Sequence, residues 1–235
     1  MLPDFSRRTD RDEWMDDLSL PDETLRRTTD AVAYVNRWTG GLKASIAGLN
    51  SLVPPGRSTL SILDVGTGNG AIPEAFVEWG REHGMDIEVT GIDLIESAIE
   101  TARKRARSPK LSYACRDLFE MDPDDGADCY DIVHGSLMLH HFPEDRAADA
   151  LRQMQQLARI GVVIQDLHRH PLHWAGSHLL IPLLTEDAMA RHDGPVSVLR
   201  GFTRDELEAI GEAAGLKHAS VGWHPPFRWL LVGRK

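Results

Sequence analysis

Two sets of residues could do chemistry. The first is Asp64-Val65-Gly66-Thr67-Gly68-Asn69-Gly70, three evenly spaced glycines after a short apolar segment. Glycine permits positive φ and lets a ligand lie against the backbone. A helix starting at such a turn aims free N–H groups and the positive end of its dipole at whatever binds there. Two acids belong with the turn. Asp93 closes Gly91-Ile92-Asp93, where a carboxylate can accept both ribose hydroxyls of an adenosine. Asp117 closes Arg116-Asp117-Leu118, where it can accept an adenine amino group while Leu118 packs on the ring. Asp64, ahead of the first glycine, can orient the turn or hold an ammonium group. The second set is imidazole. Of the 11 histidines, His140 and His141 follow one apolar segment, and His168, His170, His173 and His192 follow the next. Imidazole is suited to taking a proton near neutral pH. We expect His140 and His168 to converge, one as general base and the other as orienter or hydrogen-bond donor. His141 either caps the next helix or faces the ligand. No H-E-x-x-H or cysteine-rich spacing is present, and His168 and His170 would face opposite sides of an extended chain, so no metal is expected.

These residues need elements to hold them. Apolar runs at Leu60–Val65, Ile87–Ile92, Leu111–Cys115, Tyr130–His134 and Ile160–Gln165 predict strands, with helices over Ala71–His83, Glu96–Arg107 and Arg146–Ala158 between them. An acidic loop precedes the fourth strand. Strand alternating with helix implies parallel βαβ units and a doubly wound α/β sheet. Every chemistry-bearing residue above then falls at the carboxyl end of a strand, where such sheets bind ligands. Ahead of the sheet, Pro21-Asp22-Glu23 opens a helix that Gly40-Gly41 breaks, and Leu42–Val53 is a second helix ended by Pro54-Pro55-Gly56. After the fifth strand, 168–202 fits neither period cleanly; only Leu172–Leu184 reads as a helix. Thr203 and Glu206 form a capping box for a helix over Arg204–Ala214 that Gly215 stops. Two closing strands, about Lys217–Trp223 and Phe227–Val232, suggest an antiparallel hairpin at a sheet edge.

Composition narrows the partners. The chain has 235 residues, 42% of them hydrophobic, and a net charge of −10. No long run of Lys or Arg interrupts the chain, the stretch Arg103, Lys104, Arg105, Arg107 being short and local, so no nucleic-acid partner is expected. No apolar stretch nears the roughly 20 residues needed to span a bilayer. The N-terminus lacks a secretory signal, and a cytoplasmic location is expected. The two cysteines, Cys115 and Cys129, make no disulfide framework and read as small buried hydrophobes.

Over Ser61 to Gln165 the chain resembles the class I S-adenosylmethionine-dependent methyltransferases. The D-x-G-x-G-x-G turn, Asp93, Asp117 and the stretch Asp131-Ile132-Val133-His134-Gly135-Ser136-Leu137-Met138-Leu139-His140-His141-Phe142 carry the resemblance. A glycine pair usual before the fifth strand is replaced by Ala158-Arg159-Ile160-Gly161. Further stretches resemble bacterial small-molecule enzymes of the ubiquinone-biosynthesis-like type: Met15-Asp16-Asp17, Asn36-Arg37-Trp38, Gly40-Gly41, Asp166-Leu167-His168-Arg169, His192-Asp193-Gly194, Ser197-Val198-Leu199-Arg200 and Pro226-Phe227-Arg228. The resemblance implies a Rossmann-like, seven-stranded, mostly parallel sheet. An N-terminal helical lid would occupy residues 1–56, and the core 57–235, with the insertion 168–202 over the active site. It implies S-adenosylmethionine as cofactor, held by Asp64, Gly66, Thr67, Gly68, Asp93, Leu94, Asp117, Leu118, Ser136 and Arg37. A small acceptor would meet Met15, His141, Arg169 and His173, with His140 and His168 catalytic. The reaction implied is methylation, most readily at oxygen, of a phenol, quinol or polyketide-like compound. Two other readings stay open: a non-methylating cyclisation or decarboxylation on the same cofactor, and a non-enzymatic cofactor-binding module. A nicotinamide site fits less well, because the glycines are evenly spaced rather than in G-x-G-x-x-G order.

Overall fold

A computed structural model of the chain describes residues 3–124 and 129–235; part of the acidic loop expected before the fourth strand lies outside them. Seven strands form one sheet: β1 (Thr59–Val65), β2 (Asp86–Asp93), β3 (Leu111–Cys115), β4 (Tyr130–Ser136), β5 (Ala158–Leu167), β6 (Ala219–His224) and β7 (Arg228–Arg234). Their order is β3-β2-β1-β4-β5-β7-β6. β1 to β5 run parallel, and β7 inserts antiparallel between β5 and β6. The doubly wound sheet and the terminal hairpin are therefore as expected. The central strands read as continuous apolar runs because both faces are covered; in β4 only Tyr130 is more than marginally exposed.

One face of the sheet packs on α5 (Glu144–Leu157) and α8 (Arg204–Ala213) through Leu63, Val133, Leu151, Met154 and Leu207. The other packs on α2 (Gly41–Leu52) and α3 (Ala71–Glu82) through Ile62, Val163, Leu49, Leu52 and Phe76. α4 (Glu96–Arg105) adds Ile99 and Ala102 against Tyr113. The position of α2 corrects the expected boundary at residue 56. A Cβ on Gly48 would stand 2.4 Å from Val163 Cγ1, so glycine there lets the helix lie directly on the sheet. α2 thus belongs to the core, and only the chain up to Gly40, including α1 (Asp22–Trp38), stands outside it.

The insertion is two helices rather than one, α6 (Pro171–Leu184) and α7 (Ala188–Arg200). Gly194-Pro195 reads as a breaker, yet both residues sit inside α7. A Cβ at Gly194 would lie 2.1 Å from Ile181 Cδ1, so the glycine lets α6 and α7 touch. Asp187 caps α7 by accepting from the Ala190 N–H at 2.8 Å. The capping box of Thr203 and Glu206 on α8 is formed as expected. The cysteines depart from expectation: Cys115 is exposed and Cys129 half-buried, and both are free thiols.

Candidate active site

The turn after β1 is built by backbone. Gly66, Gly68 and Gly70 all have positive φ, between 55° and 80°. Gly70 also leaves no room for a side chain, since a Cβ there would meet Tyr113 Oη at 2.7 Å. Asp93 braces the turn from the neighbouring strand: one carboxylate oxygen accepts from the Gly68 N–H at 2.8 Å and the other from Ile95 N–H at 3.0 Å. Each oxygen retains a lone pair for a ligand hydroxyl. Burial pushes the Asp93 carboxyl up from its usual range, against the pull of those N–H groups. Asp117 accepts from the Phe119 N–H at 2.9 Å, which fixes a short 3₁₀ turn that presents Leu118.

A cavity of about 350 Å³ lies over these strand ends. Gly66, Thr67, Gly68, Asp93 and Leu94 line one side of it, and Asp117, Leu118, Ser136 and Arg37 another. Nine of the ten residues expected at the cofactor therefore share one cavity. Asp64 is the correction. It is buried beneath the turn, where one oxygen accepts from Thr67 Oγ1 at 2.7 Å and the other meets His134 Nδ1 at 2.6 Å. His134 Nε2 continues to Ser45 Oγ at 3.0 Å. Asp64 is buried and lines neither cavity, so it orients the turn and does not reach a ligand ammonium.

A second cavity, about 220 Å³ and largely apolar, opens beside the first. Met15, Val32, Asn36, Leu137 and His141 line both. Leu137 has φ of +54°, and Phe227, in the second cavity, +51°. They are the two left-handed non-glycine residues among those described. Such a backbone costs roughly 1–2 kcal/mol per residue and persists only where surroundings impose it. Here the Leu137 N–H is held by the Gln165 carbonyl at 2.9 Å.

His140 lies in the wall of this second cavity and is buried. Its Nδ1 meets Asp166 Oδ1 at 2.6 Å, while Asp166 Oδ2 accepts the N–H groups of Leu139 and His140. Its Nε2 faces Glu13 Oε1 at 3.5 Å, and that oxygen has no hydrogen-bond partner. Burial alone would depress the imidazole; the charges of Asp166 and Glu13 outweigh it and hold the pKa at about 9. Asp166 is correspondingly held low by His140 despite its own burial.

The expected partnership of His140 with His168 does not form. His168 lines neither cavity. Its backbone N–H is tied to the Phe227 carbonyl at 3.0 Å, and its ring packs 4.7 Å from Trp229. The chain turns away at the end of β5, so Asp166, two residues earlier, supplies the group that meets His140. Arg169 is a second correction. It is buried in a bidentate pair with Glu206 (2.6 and 2.9 Å) and donates to the Phe5 and Gly201 carbonyls, away from both cavities. Met15, His141 and His173 do line the acceptor-side cavity. His141 Nδ1 is engaged by Asp16 at 2.6 Å. His173 stacks on Phe227 at 5.2 Å, and burial together with Arg228 pushes its pKa down to about 4.

Glu13 and Asp193 were not foreseen. Asp193 accepts the N–H groups of Trp14 and Met15 at 2.9 and 3.1 Å, and Arg8 donates to the carbonyls of Arg200, His140 and Phe142. Arg200 adds bonds to the His140 and His141 carbonyls and to Asp16. Together they strap the N-terminal segment across α7 and the end of β4, which delivers Glu13 to His140. Glu13, His140 and His141 also hold donor atoms within 4.8 Å of one another, the one described group that could surround a cation. It differs from the histidines weighed in the sequence. Two of its ring nitrogens are already taken, by Asp166 and Asp16.

Comparison with known proteins agrees with this geometry. Residues 62–161 match the family described as a methyltransferase domain. Ubiquinone biosynthesis O-methyltransferase of Alkalilimnicola ehrlichii is 32% identical over 130 residues, 52% of this chain and 49% of the relative. The protein of the same name from Bordetella avium is 32% identical over 168 residues, 68% of this chain and 63% of the relative. The chain thus spans about half to two thirds of the length of these curated relatives. Among solved structures, the plantazolicin methyltransferase in complex with a desmethyl analogue and S-adenosylhomocysteine superposes with a TM-score of 0.64. It is 17% identical, with 94% of this chain and 98% of that one covered, a likeness of fold. Turn, strand order and sequence match converge: the chain belongs to the class I S-adenosylmethionine-dependent methyltransferases.

Proposed function

We propose that the chain binds S-adenosylmethionine in the cavity over β1–β3 and methylates an oxygen of a small, partly aromatic acceptor, a phenol, quinol or polyketide-like compound, in the adjoining cavity. The observation that carries this is His140, buried in the acceptor wall with Asp166 on one nitrogen and an unsatisfied Glu13 oxygen beyond the other. The glycine turn, the free lone pairs of Asp93 and the Asp117-Leu118 corner suit an adenosine. The bound cofactor supplies an electrophilic methyl group on a sulfonium.

The residues of the chain then have two tasks. Apolar walls orient the acceptor, which converts a bimolecular encounter into a positioned one. His140 Nε2 receives the proton that the hydroxyl gives up as its oxygen forms the new bond to carbon. Asp166 fixes the ring orientation and, through the Nδ1–H, stabilises the imidazolium that results. The contact between Nε2 and Glu13 is 3.5 Å, too close for an oxygen to lie between them, so an acceptor hydroxyl reaches Nε2 by displacing Glu13 from it. Residues up to Gly40 act as a lid: Met15, Val32 and Asn36 roof both cavities, and Asp30 ties α1 to the turn through Asn69 at 2.8 Å.

Incubation with S-adenosylmethionine and a panel of phenols, quinols and hydroxylated polyketides tests the reading. S-adenosylhomocysteine should accumulate only when an acceptor is present, with a methyl ether as co-product. Tight cofactor binding without S-adenosylhomocysteine formation across the panel would favour a non-methylating or purely binding role.

A further inference from the structure

Among the described residues, buried arginines are matched to acids, with one exception. Arg169 pairs with Glu206, and Arg200 with Asp16. Arg228, at the start of β7, is 3% exposed and forms no ion pair with a described acid. Its Nη2 donates to Thr39 Oγ1 at 2.5 Å and its Nε to the Thr39 carbonyl at 3.5 Å. Its Nη1 is buried with no partner at all. The side chain lines the acceptor cavity and not the cofactor cavity. Burial lowers its pKa to about 10, which leaves it charged at neutral pH.

A buried cation with no acid in contact is among the most expensive features a protein can hold, and the charge of Asp166 offsets only part of that cost here. The acids around it are committed. Asp166 is spent on His140 and on the N–H groups of Leu139 and Leu167. Asp193 holds Trp14, Met15 and His192. Glu13 accepts from Ser197 and faces His140. His173, which feels the charge of Arg228, hydrogen-bonds the His168 carbonyl through Nδ1, which makes that nitrogen the donor; the ring is neutral and offers no counter-charge. Much of the remaining wall is apolar, Val35, Leu167, Leu180, Ile181 and Val198 among it, and polar side chains there such as Asn36 and Ser177 carry no charge.

We propose that Arg228 Nη1 receives a carboxylate of the methyl acceptor, so that the substrates of this cavity are hydroxylated aromatic or polyketide-derived acids. The inference rests on the reading of this cavity as the acceptor site and narrows it. A single unpartnered guanidinium nitrogen, in a largely apolar wall whose acids Glu13 and Asp193 face other groups, suits a carboxylate rather than a phosphate, whose three oxygens would need further donors. The apolar walls take the carbon body, and the hydroxyl goes to His140.

The test is calorimetric titration of the chain saturated with S-adenosylhomocysteine, using hydroxyaryl carboxylic acids and their primary amides, which keep the shape and lose the charge. In wild type the acids should bind on the order of 10- to 100-fold tighter than the amides. In Arg228→Gln that advantage should shrink to less than about twofold, with amide affinity retained, while Arg228→Lys should keep part of it. Equal affinity of acid and amide in wild type overturns the proposal. So does an acid preference that survives in Arg228→Gln, or a panel in which neutral phenols bind and no acid does. If Arg228→Gln fails to fold, the wild-type comparison and Arg228→Lys decide. S-adenosylhomocysteine release with neutral phenols, measured in parallel, separates this claim from the reaction itself. An acid preference without turnover would remove methyl transfer and leave the anion site standing.

Discussion

The two cavities that share the wall of Met15, Asn36 and Leu137 are built by different means. In the cofactor cavity the contacts come from backbone: three glycines at positive φ, the N–H groups they expose, and acids that brace the turn from the ends of adjacent strands. In the acceptor cavity they come from side chains of distant segments: Glu13 from the N-terminal strap, His140 after β4 with Asp166 of β5 behind it, His173 from α6 and Arg228 from β7. A backbone site is local and shared by many sequences. A side-chain site depends on every element that delivers a residue to it, and it is where one enzyme can differ from another at constant fold.

The contrast predicts that damage will separate cleanly. The largest effect is expected at His140. His140→Ala, and Asp166→Asn to a lesser degree, should lower turnover by roughly 10²–10⁴-fold in steady-state assays. Cofactor affinity should stay within about twofold, because neither residue lines the cofactor cavity. Loss of both properties together would break the comparison.

Next in size is Asp93. Asp93→Ala should weaken S-adenosylhomocysteine binding by about 2–3 kcal/mol, roughly 30- to 150-fold in Kd by calorimetry. The variant also removes the brace on Gly68, so Asp93→Asn, which keeps one acceptor oxygen, should lose less. An unchanged Kd in Asp93→Ala would remove the ribose assignment.

The smallest expected effect sharpens the shared roof. Backbone hydrogen exchange across residues 10–40 should slow a few-fold when cofactor binds, since α1 contacts the turn through Asp30 and Asn69. α2, packed on the sheet through Leu49 and Leu52, should exchange slowly in both states. Identical rates in 10–40 with and without cofactor would argue against a lid.

The same contrast explains what could be read from the residues in order. The turn, Asp93 and Asp117-Leu118 are short stretches with their own strand and helix signals, so their convergence follows from the parallel sheet alone. His140 was visible as a histidine at a strand end. Its partner was not, because Asp166 meets it from within β5, which ends at Leu167, and the chain then swings His168 against Trp229. Two residues separate them, a same-side spacing in an extended chain, so periodicity does not show that the chain turns away between them. Glu13 is separated from His140 by most of the sheet, and only the strap formed by Arg8, Arg200 and Asp193 brings it there. Arg169 looked like a ligand-facing cation because its acid, Glu206, stands in another helix and was already recognisable as a capping residue. α7 was hidden by Gly194-Pro195, whose small size serves helix contact instead of a turn.

The claim that His140 is the base is tested most directly by its titration. Asp166 and Glu13 hold its pKa near 9, and a base must be neutral to accept a proton. For a neutral hydroxyl acceptor, kcat/KM should therefore climb with pH from 7, about tenfold per unit, and level off only near 9. A histidine at its ordinary value would already be flat by pH 7.5. In His140→Gln the limb should disappear along with most of the rate. A wild-type profile flat from 7 to 9.5, or the same limb persisting in His140→Gln, would contradict the account.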